Sequence, residues 1–139
     1  MSIWLKPISL EDIQDRNRGT MGDYLGIVIT EIGPDFLKGT MPVSERTVQP
    51  LKILHGGASV VLAETLASVA ANYAVDESHY CVGSEINANH LRPATTGLVT
   101  GIARPIRLGR TQQVWTIDMF DDEGKQTCIS RMTATVLKR

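Results

Sequence analysis

The sequence predicts an α+β protein in which a curved antiparallel sheet wraps one long central helix, and three observations carry that prediction. The stretch Gln49–Ala71, QPLKILHGGASVVLAETLASVAA, is almost wholly apolar after His55-Gly56-Gly57, and a helix apolar on all sides is buried rather than laid on a surface. Two β-like runs precede it and four follow, joined by short turns. Such runs pair antiparallel, and a lone helix segregated to one face makes the class α+β. The lengths also agree: a helix of about 18 residues spans ~27 Å, and strands of about nine residues span ~30 Å.

Along the chain, Ser9 and Asp12 form a capping signal that starts a short helix through LEDIQDRN, ending near Gly19. Met21–Tyr24 adds a brief second turn. From Leu25 the pattern alternates: LGIVITEI is a strand, Gly33-Pro34-Asp35 a turn and FLKGTMPV the returning strand of a hairpin. Ser44–Lys52 is a loop that holds Gln49-Pro50, and the central helix follows. Its small residues, Ala58, Ala63, Ala67, Ala70 and Ala71, suit a cylinder enclosed along its length. After Asp76-Glu77-Ser78, strands are expected over 80–89, 98–108, 111–120 and 126–137. Pro105 has no N–H to give a ladder, so it marks an edge or a bulge. No linker or repeat interrupts the chain, so residues 1–139 are expected to form one domain.

Charge and cysteine usage narrow the function classes. A net charge of −1 leaves no basic field, which argues against nucleic acid. The two cysteines, Cys81 and Cys128, have neither metal-ligand nor CxxC spacing, so no metal is expected and a reducing cytoplasm is the default. The first nineteen residues are too charged for a signal peptide. The central helix carries Glu64, Ser68 and Asn72 four apart, a narrow polar stripe that argues for a buried helix rather than a membrane span. A carboxylate in such a run is costly to desolvate unless it is paired or functional.

MPVSERTVQP, LHGGASVVLAET, VGSEINANHLRP and RPIRLGRTQQVWTIDMFDDEGK together span most of the chain. They resemble the hotdog-fold acyl-CoA thioesterases. The likeness is to their PaaI-like branch, which holds the menaquinone-pathway 1,4-dihydroxy-2-naphthoyl-CoA thioesterase and the enterobactin-pathway proofreading thioesterase. Two departures are visible: Leu51-Lys52 where relatives usually carry an aromatic residue and glycine, and Gln126-Thr127-Cys128 where they often have paired cysteines. The resemblance implies hydrolysis of an acyl-CoA, preferably aromatic, with no cofactor because coenzyme A belongs to the substrate. It also implies a homodimer, paired again into a tetramer.

Thioester hydrolysis needs a carboxylate to attack or to activate water, and donors aimed at the developing oxyanion. Glu64 is the candidate carboxylate, as nucleophile or as general base; the bland alternative is a buried acid satisfied by Ser68. Gly56 offers a backbone N–H at the positive end of the helix dipole, although His-Gly-Gly is also an ordinary tight turn into a helix. Eight residues of helix put Glu64 ~12 Å from that N–H, too far for one carbonyl carbon to meet both. If both act on one thioester, they come from two copies of the chain. The resemblance places Gln49 beside Gly56, lets His55 position substrate or polarise the site, and lets Ser68 hold the carboxylate or water. It also implies that Gly83, then His90, Leu91, Arg92 and Pro93, and then Arg107, Leu108, Gly109, Arg110, Thr111 and Gln112, line the coenzyme A groove. Cations there suit its phosphates. Two rivals remain: a hydratase or dehydratase using His55 with Glu64, and a non-catalytic acyl-CoA-binding oligomer.

Overall fold

In the computed structural model, which describes every residue from Met1 to Arg139, nine elements follow one another. They are α1 (Leu10–Asn17), α2 (Met21–Tyr24), β1 (Val28–Ile32), β2 (Leu37–Pro42), α3 (Gly56–Tyr73), β3 (His79–His90), β4 (Leu98–Leu108), β5 (Gln112–Phe120) and β6 (Gln126–Lys138). The strands form one sheet in the order β1-β2-β4-β5-β6-β3, with every neighbouring pair antiparallel. Burial alternates along β2 and β5, so each turns one face to α3. Leu62, Ala63, Leu66, Ala67 and Ala70 of the helix are fully buried with Leu37, Met41, Trp115, Ile117, Met119 and Met132 of the sheet. No helix is long and apolar enough to cross a membrane.

Local chemistry accounts for the element ends. Ser9 caps α1 by accepting the Asp12 N–H at 3.1 Å. The first strand starts at Val28 rather than at the expected Leu25, because Leu25 caps α2 and Gly26 turns the chain with φ +80°. Pro105 lies past the last β2–β4 pair, Leu37 with Ala103, and pairs with Trp115 just before the bulge at Ile106, so it is unpaired on one side and flanks a bulge on the other. Asn72, the last residue of the polar stripe, donates to the Ser68 and Cys81 carbonyls and accepts the Cys81 N–H. It thereby fastens the start of β3 to the end of α3. The far side of β3 has no neighbour, which makes this twelve-residue strand a long open edge.

Candidate active site

The first turn of α3 leaves one donor free. His55 is its N-cap: Nδ1 accepts the Gly57 N–H at 2.8 Å, and its carbonyl accepts the N–H groups of Ala58 and Ser59. Only the Gly56 N–H of that turn has no partner, and it sits at the positive end of an 18-residue helix. His55 therefore has a structural task that the sequence did not suggest, and its ring is engaged in it.

The loop before the helix holds Gln49 over the same end. Backbone bonds from Gln49 N to Ile53 O, Lys52 N to Gln49 O, His55 N to Thr47 O and Leu54 N to Ala94 O, all 2.8–2.9 Å, pin the loop. The Gln49 side-chain oxygen accepts the Leu51 N–H, which leaves its amide NH2 as the free end. A cavity of ≈ 390 Å³ opens here, lined by Gln49, Gly56, Ser59, His90, Leu91, Arg92, Pro93 and Thr127 among others. A side chain at Gly56 would put its Cβ 2.8 Å from His90 Nε2, so glycine is what lets the imidazole close on the helix start.

Glu64 lies elsewhere. It is half-buried and makes no hydrogen bond or ion pair within the protomer. Its carboxylate rests against β3 where Gly83 has no side chain: a Cβ there would stand 2.3 Å from Glu64 Oε2. The expected bond to Ser68 is not made, because the serine hydroxyl donates to Met132 Sδ at 3.7 Å. Ser68 instead lines a second cavity of ≈ 290 Å³ between α1, β1 and α3, with Ile13, Ile27, Ile29, Thr65 and Val69 on its walls and Gln14, Arg16 and Asn17 also lining it.

Six of the expected residues, Gln49, Gly56, His90, Leu91, Arg92 and Pro93, thus share one cavity, while Glu64 and Gly83 form a separate pair. The segment Arg107–Gln112 runs from the end of β4 through the turn into β5. Through the registers Leu108 with Gln113, Gln113 with Ala134, and Ala134 with Gly83, it lies level with Gly83 and not with His90. Seven strand residues separate those two levels, ~23 Å, so one chain does not bring the two arginine-bearing segments together. Burial pushes the thiols of Cys81 and Cys128 up, away from the nucleophilic thiolate. Two polar lining residues escaped the sequence reading, Ser59 and Thr127. Both are buried polar groups, and only the missing paired cysteines at 126–128 drew notice to the second.

The family model described as the thioesterase superfamily matches residues 51–128. A protein of Vibrio cholerae named as an esterase is 54% identical over 98% of this chain and 91% of its own. The 1,4-dihydroxy-2-naphthoyl-CoA hydrolase of Escherichia coli is 47% identical over 97% of this chain and 99% of its own. The crystal structure of a thioesterase from Haemophilus influenzae superposes with a TM-score of 0.96 at 46% identity, covering 98% of this chain and 95% of that one.

Proposed function

The chain belongs to the thioesterase superfamily, with its hotdog fold and thioester-hydrolase activity, and from that membership we propose that it hydrolyses an aromatic acyl-CoA to free acid and coenzyme A. No metal or redox cofactor takes part. The Gly56 N–H and the Gln49 amide receive the carbonyl oxygen as it turns into an oxyanion, and the helix dipole strengthens the first of these bonds. Glu64 attacks the carbonyl carbon or takes a proton from attacking water.

The observation that carries this reading is the pairing of two unsatisfied groups on one helix, the Gly56 N–H and the Glu64 carboxylate, held apart at the two levels of β3. An antiparallel two-fold along the open β3 edge would cross those levels. It would set the Gly56 cavity of one protomer beside the partner's Glu64, and His90–Pro93 of one beside the partner's Arg107–Gln112. Both separations are then repaired by one symmetry operation. We therefore take the working unit as a homodimer in the cytoplasm, with dimers pairing into a tetramer. His55, capped onto Gly57 and outside the cavity, offers little to the hydratase alternative.

The ≈ 290 Å³ cavity supports the aromatic preference. Thr65 is the next residue after Glu64, and Ser68 and Val69 follow about one turn on, so the acyl part of a thioester carbonyl at Glu64 has isoleucine walls beside it and polar groups that suit ring hydroxyls. The test is free-thiol release from benzoyl-CoA and octanoyl-CoA by the wild type and by Glu64→Gln. Benzoyl-CoA is expected to be the better substrate, and the variant to lose about 10²-fold or more of the rate. An unaltered rate in Glu64→Gln would overturn the assignment.

A further inference from the structure

Thr127 Oγ1 is the one side-chain polar atom in the protein that is closed off from solvent in the free chain and has no hydrogen-bond partner. Leaving such a group unpaired is costly, so its persistence calls for a use. The backbone puts it there by a specific device. Along β6 the pairing with β5 runs Met119 with Cys128 and then Phe120 with Gln126, which leaves Thr127 as the extra residue of a β-bulge. Simple alternation would turn Thr127 outward next to an inward Cys128. The bulge buries both, Thr127 to 3% exposed and Cys128 to 0%, and re-aiming a side chain beside a site is what bulges do. The Thr127 carbonyl meanwhile accepts the N–H groups of Leu91 at 2.8 Å and Arg92 at 3.4 Å, so the backbone is held on the cavity side.

Ser59 faces the same cavity one turn below Gly56 and is 4% exposed. Its hydroxyl makes no hydrogen bond within the chain either. The cavity thus has a donor pair at its head, Gly56 and Gln49, and is lined lower down by Ser59 and Thr127, residues whose hydroxyls are unspent and able to donate and to accept. We propose that Ser59 and Thr127 are positioning residues that hydrogen-bond the amide nearest the sulfur of a pantetheine-type thioester. A hydroxyl pair can take the N–H and the C=O of one amide, which a pocket of donors alone cannot. That amide lies two methylenes from the sulfur, so seating it fixes where the thioester carbonyl meets Gly56. This rests on the hydrolase reading above.

The test compares two benzoyl thioesters, one of N-acetylcysteamine, which carries that amide, and one of mercaptoethanol, which lacks it. In the wild type the amide-bearing thioester is expected to have the higher kcat/KM. In Thr127→Val that preference should shrink about tenfold, through KM, and Thr127→Ser should restore it. Ser59→Ala should give the same loss. The melting temperature of Thr127→Val should equal or exceed that of the wild type, because an orphan hydroxyl is replaced by an apolar isostere. A preference unchanged in both Thr127→Val and Ser59→Ala overturns the proposal, as does a fall in melting temperature with the preference intact, which would mark a purely structural threonine. If the wild type releases thiol from neither thioester, the hydrolase reading falls and this assignment with it.

Discussion

Lys52 holds φ at +65°, the left-handed region that costs a residue with a Cβ about 1–2 kcal/mol, in the turn that sets Gln49. Because Lys52 is exposed, Lys52→Gly should stabilise the protein by up to about 1 kcal/mol after glycine's larger unfolded-state entropy is set against the relief. The urea midpoint measures this; Lys52→Val should move it the other way. Gly83 makes a sharper case. Gly83→Ala sets a methyl 2.3 Å from Glu64 Oε2 on an exposed stretch of strand, so the carboxylate must shift while the fold has room to stay. Thiol release should fall about 10²-fold with an unchanged circular dichroism spectrum, the cost of misplacing a reacting group by about 1 Å. At this scale the sequence spoke through anomalies: a lone acid in an apolar run, and paired glycines where a helix begins. Ser59 is no anomaly among alanines. Thr127 is aimed by a bulge, which is a property of two strands rather than of one residue, and His55 could be placed but not recognised as a cap.

Helix α1 is eight residues long and depends on its attachments. Ile13 buries its apolar side, and the Tyr73 hydroxyl at the far end of α3 donates to Asp12. Burial pushes the Tyr73 hydroxyl up from 10.0 to about 12, with the Asp12 hydrogen bond as the next cause. That same bond, the largest influence on it, holds Asp12 below its ordinary 3.8. The signs follow from linkage. Tyr73 titrates higher in the folded protein, so its contribution is complete below pH 10 and is lost as the pH rises towards 12. Asp12 titrates lower, so its contribution is present above pH 3.8 and fades as the pH drops beneath that. Urea unfolding between pH 9 and 12 should show a decline in stability that Tyr73→Phe lacks. The elements themselves were largely legible, because caps, turn glycines and two-residue alternation are local signals. Their order in the sheet was not, since the pairing of β3 with β6 joins residues some fifty positions apart and depends on what α3 leaves open.

At the scale of the whole molecule, β3 is the feature that a single chain does not explain. Val82, Gly83, Ser84 and Glu85 are exposed one after another on an open edge, the kind of strand that soluble proteins otherwise shorten or cover. In the dimer proposed above, a second copy would cover it, and the same pairing would bring each Gly56 to the partner's Glu64. The consequence is testable without knowing the natural substrate. Glu64→Gln spoils the acid and leaves the cavity intact; Gly56→Leu drives a side chain into His90 and leaves the acid intact. Each variant alone should be nearly inactive on benzoyl-CoA. Unfolded together in equal amounts and refolded, they should reassort so that about half of the dimers are mixed, and in each of those one of the two sites has both groups sound. About a quarter of the wild-type rate should return, although neither parent has it. A site built within one chain would recover nothing, because every chain in the mixture carries one of the two lesions.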